Sequence, residues 1–149
     1  MATVTRTLSV PPEQVWEVLS DGWRYSNWVV GTSHMRAVDT DWPATGTRLL
    51  HASGVWPLVL RDSTDVVASE APRRLELIAH GGALGDAHIT LTLRPVGDGT
   101  EVEMVEEPVR GPGKWLYNPV ADAVTKRRNV ESLARLAALA ERPTAAGRS

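Results

Sequence analysis

Six short runs of alternating apolar and polar residues follow one another between residues 33 and 107, and one long helical pattern comes after them. A period of two sends successive side chains to opposite faces of a strand. The runs span Ser33 to Thr40, Thr47 to Ser53, Pro57 to Ala68, Arg74 to His80, Ala87 to Arg94 and Thr100 to Glu107. Turn-forming residues separate them: Asp41-Trp42-Pro43-Ala44-Thr45-Gly46, Gly54, Glu70-Ala71-Pro72, Gly81-Gly82 and Gly97-Asp98-Gly99. Strands joined in sequence by short turns pair with their neighbours as an antiparallel sheet. The strongest hairpin signal is Gly97-Asp98-Gly99, with Ile89, Leu91 and Leu93 on one face before it and Val102, Met104 and Glu106 on one face after it.

Such a sheet has an apolar face that something must cover, and the rest of the chain offers little choice. Thr3 to Val10 reads as a further strand. Pro11-Pro12-Glu13-Gln14 then opens a helix carrying Val15, Trp16, Val18 and Leu19, because proline lacks the N–H that a first helical turn leaves unpaired. Ser20-Asp21-Gly22 ends it, and Trp23 to Val30 reads as a second short helix or an ordered loop. Only the final pattern, from about Lys114 to Glu141, is long enough to cross a sheet. Its apolar stripe runs through Leu116, Val120, Ala123, Arg127, Val130, Leu133, Ala137 and Ala140 at steps of three and four. The fold class is therefore α+β in a helix-grip arrangement. A curved antiparallel sheet of about seven strands wraps round a long C-terminal helix, with two short helices after strand 1. Residues 1–142 form one domain, and 143–149, rich in Pro, Ala and Gly, form a flexible tail.

Composition removes several function classes. Sixteen basic residues stand against eighteen acidic ones, a balance unlike that of a general nucleic-acid binder. With no cysteine there is no disulfide, zinc ribbon or thiol nucleophile. No apolar run approaches a membrane span and no apolar leader opens the chain, so a cytoplasmic protein is expected.

The chain resembles the START/Bet v 1-like (SRPBCC) superfamily, specifically its polyketide cyclase/dehydrase and lipid-transport group. The resemblance covers nearly all of Thr3 to Glu141. It is carried by the opening strand–Pro–helix from Val4 to Leu19, Tyr25-Ser26-Asn27-Trp28, Gly46-Thr47-Arg48, Gly99-Thr100-Glu101-Val102 and Arg128-Asn129-Val130-Glu131-Ser132-Leu133. It implies a hollow between sheet and last helix that holds an apolar small molecule in many members. The residues lend their own support: the helix stripe is small at Ala123, Ala137 and Ala140, and the chain has no Phe to fill the space. The opposing possibility is that the six Trp supply the bulk.

Candidate site residues follow from which face each occupies. His34, His51, His80 and His88 are the groups that titrate near neutrality, and their separations of 17, 29 and 8 match no metal-ligand spacing, so neither metal nor cofactor is expected. His80 and His88 fall opposite the apolar residues of their strands, which leaves His34 and His51 as candidate ligand contacts. Glu106 shares a face with Val102 and Met104, and Arg127 lies on the helix stripe. Each needs a partner if buried, so both are expected at the cavity or its rim, as a possible pair. Trp28, Trp56 and Trp115 are the aromatic candidates at the cavity ends. Leu58, Leu77, Leu91, Met104, Val120 and Ala123 complete the expected apolar lining. The leading reading is binding of an apolar small molecule, polycyclic aromatic or acyl, as carrier or sensor, by a monomer or homodimer. The second is a polyketide cyclase/dehydratase-like enzyme using His51, Glu106 or His34 as acid or base. The third is a protein-interaction module.

Overall fold

The computed structural model describes residues 1–53, 60–81, 85–111 and 119–142. Strand β1 is Ala2–Leu8, helix α1 Pro12–Leu19, a single 3-10 turn Gly22–Arg24 and helix α2 Tyr25–Trp28. Strands β2 (Thr32–Val38), β3 (Arg48–Ser53), β4 (Leu60–Glu70), β5 (Arg74–His80), β6 (Asp86–Val96) and β7 (Gly99–Arg110) follow, then helix α3 over Pro119–Ala140. The strands form one curved antiparallel sheet in the order β1-β7-β6-β5-β4-β3-β2. Consecutive strands are neighbours throughout β2 to β7, as short turns require. The first strand instead closes onto the last, so Val4 lies opposite Met104 and Ala2 opposite Glu106. This is the expected helix-grip fold.

The β6–β7 hairpin has Val96 paired with Gly99 across Gly97-Asp98, and Gly97 sits at φ +57. A two-residue loop whose first residue is a glycine at positive φ matches the right-handed twist of its arms. Gly99 has a second reason to be glycine: a Cβ there would lie 2.2 Å from the carbonyl oxygen of Leu8, where β1 ends.

The interior is packed at one end only. Leu8, Val15, Val18, Leu49, Leu75, Leu91, Leu93 and Val102 meet Leu133, Leu136, Ala137 and Ala140 of α3 in one buried cluster. Polar ties hold this end. Gln14 Nε2 donates to the carbonyl of Ala140 at 2.8 Å, the Ser9 hydroxyl donates to Glu141, and the backbone N–H of Val30 donates to Ser132 Oγ at 3.1 Å. Among the described residues, aliphatic side chains rather than indoles supply most of the bulk. Trp42 is buried with its Nε1 donating to the carbonyl of Leu19 at 3.1 Å, whereas Trp23 is exposed.

The stripe read on the last helix holds for Leu133, Ala137 and Ala140 and fails further toward the N-terminus. Val120, Val124 and Val130 are exposed, as are Ala123 and Arg127. The inward residues there are Ala121, Thr125, Arg128 and Asn129. The reason is physical: this half of α3 faces a hollow rather than a core, so its inner side carries no apolar signal, and the exposed valines give a false one. Truncating Leu136→Ala should cost about 2–5 kcal/mol in chemical denaturation. Val124→Ala on the outer side should stay within about 0.5 kcal/mol. Comparable losses from the two variants would refute this helix orientation.

Candidate functional site

Beyond the packed end, sheet and helix part to leave a cavity of about 650 Å³. Its apolar wall comes from Trp28, Leu77, Ala79, Ile89 and Met104. Two polar groups of side chains interrupt that wall.

The first is built on β7 and α3. Glu106 lies in β7, between Ala2 of β1 and Ile89 of β6, on the same inward parity as Val102 and Met104. Arg128 Nη2 donates to both of its carboxylate oxygens at 2.6 Å, and Asn129 Nδ2 donates to Oε1 at 3.3 Å. Asn129 is 1% exposed, the Glu106 side chain 11% and that of Arg128 40%. The carboxylate is thus embedded and its guanidinium partner reaches it from the rim. A charged pair satisfied in this way avoids the penalty of an isolated buried ion.

The second is built on α2, β3 and β4. His51 pairs in register with Asp62 across the β3–β4 ladder, and both point inward with Thr64. His51 Nε2 and Thr64 Oγ1 are 2.9 Å apart, and the Tyr25 hydroxyl is 3.4 Å from the same Thr64 oxygen. The Tyr25 ring stacks on the imidazole at 5.3 Å and meets Trp28 edge-on at 5.7 Å. Burial pushes the Tyr25 hydroxyl up to about 12; the Thr64 hydrogen bond opposes this and the Glu106 charge adds to it. The phenol therefore keeps its proton at neutral pH. Burial lowers the proton affinity of His51, against the nearby Asp62 charge and with that of Arg36, which favours the neutral imidazole. Tyr25 also feels the charges of Glu106, Arg128 and Asp62, so both polar groups look into one space.

A third ionic group lies where β5 turns into β6. His80 Nδ1 is 3.1 Å from Asp86, and its Nε2 is 3.0 Å from Asp65. Arg110 donates to both Asp86 oxygens at 2.8 and 3.1 Å. The Arg110 hydrogen bonds hold the Asp86 carboxyl below the usual range, against burial and with help from His80.

Of the residues expected from sequence, Trp28, His51, Leu77, Met104 and Glu106 border the cavity. His34 does not: it is exposed on the edge strand β2. Leu91, paired across the sheet with Met104, is fully buried in the aliphatic cluster and is not among the residues that border the cavity. Val120, Ala123 and Arg127 lie on the exposed side of α3, so the guanidinium at Glu106 is that of Arg128, one position further on. Trp56, Leu58 and Trp115 lie outside the described residues. His80, read as facing away from the apolar side, does so through Asp65 but also borders the cavity mouth. Sequence reasoning missed Tyr25, Asp62, Thr64, Arg128 and Asn129. A signal existed for two of them, since Asp62 and Thr64 share parity with the buried Val66.

Among the described residues no group of three or more His, Asp or Glu is placed to hold a metal ion, and no helix is long and apolar enough to cross a membrane.

The family described as "Polyketide cyclase / dehydrase and lipid transport" matches residues 1–141. No curated protein matches the chain significantly. Among solved structures it is similar to protein NE0264 from Nitrosomonas europaea, at 17% identity and TM-score 0.73, over 93% of this chain and 92% of that one. Protein MLL2253 from Mesorhizobium loti is similar at 24% identity and TM-score 0.70, over 96% and 98%. DynU16, from the dynemicin biosynthetic locus, is similar at 22% identity and TM-score 0.68, over 94% of this chain and 46% of that one.

Removing the rim guanidinium should expose how much Glu106 depends on it. Arg128→Ala should lower unfolding free energy by about 1–3 kcal/mol, the range for a hydrogen-bonded charge left with fewer partners. Arg127→Ala should change it by less than about 0.5 kcal/mol. Urea denaturation of both variants reads the difference, and equal effects would contradict the assigned pair.

Proposed function

The chain belongs to the polyketide cyclase/dehydrase and lipid-transport family of the START/Bet v 1-like superfamily, and from that premise we propose that it binds an apolar small molecule, polycyclic aromatic or acyl, inside the cavity, as a carrier or sensor. The observation that carries this reading is the division of the interior. One end is packed by Leu133, Leu136 and their neighbours, while about 650 Å³ at the other is bounded by apolar walls with a few convergent polar groups. Small-molecule sites are typically roughly 300–1,000 Å³ and have this mixture of lining. The origin of one structural neighbour in a biosynthetic locus agrees with a guest of this kind.

Filling the space tests the reading. Ala79 and Thr125 line the cavity from opposite sides, on β5 and α3. Ala79→Leu with Thr125→Leu should keep the melting temperature at or above that of the parent, because the added methyl groups meet space rather than neighbours. The same change should abolish quenching of Trp28 fluorescence by a flat aromatic or long-chain probe. Undiminished binding by this double variant would place the guest elsewhere.

One observation favours a second reading, acid–base catalysis on a bound carbonyl compound. His51 is held toward its neutral form with Thr64 and the protonated Tyr25 hydroxyl beside it. A neutral imidazole is a competent base, and a phenol can hydrogen-bond a carbonyl oxygen. Under this reading the protein accelerates exchange of the α-protons of 2-tetralone in D2O, followed by NMR. His51→Gln should remove about 100-fold or more of that acceleration. No acceleration by the parent protein removes the catalytic reading and leaves the binding one standing.

A further inference from the structure

The charges that face the cavity constrain which guest can enter it. The carboxylates on its wall are Asp62, Asp86 and Glu106; the guanidinium is that of Arg128; the imidazoles are His51 and His80. Each positive or potentially positive group is already engaged. Arg128 is held by both oxygens of Glu106, His80 lies between Asp65 and Asp86, and His51 is hydrogen-bonded to Thr64 and turned toward its neutral form. The acceptors are less fully used. Glu106 receives three hydrogen bonds, two from Arg128 and one from Asn129, against the roughly four that a carboxylate can accept. Asp62 makes no ion pair or hydrogen bond with the described residues, although it faces inward between His51 and the Tyr25–Thr64 pair.

We propose that the cavity selects apolar guests with a hydrogen-bond-donating head, a hydroxyl or an amine, and rejects those ending in a free carboxylate, with Asp62 as the selecting residue and Glu106 as the second acceptor. This rests on the reading of the cavity as a ligand site and adds the polarity of its guest. A donor entering between the two polar groups finds lone pairs in a space of low dielectric, where such bonds are strengthened. A carboxylate entering there sheds water, meets no uncommitted cation among the described residues that line the cavity, and lies beside two groups of its own sign. Like charges brought together inside a site discriminate against the wrong partner more than good contacts favour the right one.

Two scaffolds separate the head group from the body. One is pyrene bearing a methanol, methylamine or carboxylic acid; the other is decane-chain alcohol, amine and acid. Equilibrium dialysis against the intact protein at neutral pH reads all six. Within whichever scaffold binds, the alcohol and amine are expected to bind at least about tenfold more tightly than the carboxylate. Asp62→Asn should reduce the amine-to-carboxylate ratio at least about fivefold, while the alcohol stays within about threefold of its parent value. A carboxylate that binds as tightly as its alcohol overturns the proposed selectivity and leaves the cavity reading intact. So does an unchanged ratio in a folded Asp62→Asn protein, as judged by its circular dichroism. If none of the six binds, the cavity reading itself fails and the selectivity with it.

Discussion

The whole architecture depends on how the C-terminal half of α3 is seated. Leu133, Leu136, Ala137 and Ala140 enter the aliphatic cluster made by β1, α1 and the middle strands, and hydrogen bonds from Gln14 to Ala140 and from Ser9 to Glu141 fix that end of the helix to the start of the chain. A fully buried leucine is worth roughly 1.5–3 kcal/mol, so this contact supplies the main anchor of the helix, to which the hydrogen bonds of Arg128 and Asn129 with Glu106 are added. The N-terminal half is then carried across the sheet as a rigid continuation. It need not be packed to be positioned, and this lets a small protein keep a cavity under a helix.

The consequence is a division of labour along one element. Where α3 is seated its inner residues are apolar or small; where it spans the hollow they are Ala121, Thr125, Arg128 and Asn129. Polar side chains facing a hollow must either find partners in it or keep access to water. Glu106 supplies the partner for Arg128 and Asn129, and its own central position in the sheet is tolerable because they reach it. The polar group around His51 is satisfied differently, through a threonine hydroxyl shared with a tyrosine. The first is an ion pair at the rim, the second a chain of neutral groups deeper on the wall, and Tyr25 senses the electrostatics of both.

This division also explains how much was legible in the sequence. Strand periodicity is enforced by a sheet that turns one side of every strand inward, so the strands from β2 to β7 and the β6–β7 hairpin could be read from alternation. Glu106 could be placed inward by parity alone, and parity would have placed Asp62 and Thr64 too. The phase of α3 could not be read in the same way. A helix over a cavity has no requirement for apolar residues on its inner side, and the chain happens to carry Val120 and Val124 on its outer side. Arg127 and Arg128 are adjacent, and one step along a helix is 100° of rotation. A stripe chosen for hydrophobicity therefore selected the wrong arginine while choosing the correct carboxylate. Tyr25 lay within a motif that carried the family resemblance, yet its role depends on the distant Thr64, and no local pattern encodes that pairing.

A sheet that borders a hollow loses apolar contacts on its inner face, and this one is reinforced by a chain of charged side chains that reaches the cavity mouth through His80 and Asp86. Arg48, Asp65, His80, Asp86 and Arg110 come from β3, β4, β5, β6 and β7 in turn, and each is hydrogen-bonded to the next. The strand ends they join carry Ala79, Ala87 and Pro108 on the cavity side, where small residues contribute little packing. Cross-strand charged pairs are individually worth roughly 0.2–1 kcal/mol, too little for any one to matter. Linked in series across five strands they resist splaying of the sheet at the point where the interior cannot. The backbone is constrained there as well: Gly85 sits at φ +98, and a Cβ on it would meet the carbonyl oxygen of Arg110 at 2.0 Å. Burial works against ionisation of Asp65, yet hydrogen bonds from Arg48 and His80 keep its carboxyl below the usual range; those of Arg110 do the same for Asp86. A group whose affinity for protons is lower in the folded chain stabilises it above the unfolded value, about 3.9, and loses that contribution only as the pH falls through the folded one. The two carboxylates of this series, Asp65 and Asp86, therefore keep their charge across the neutral range, and the network they join ties the strand ends together where the cavity opens.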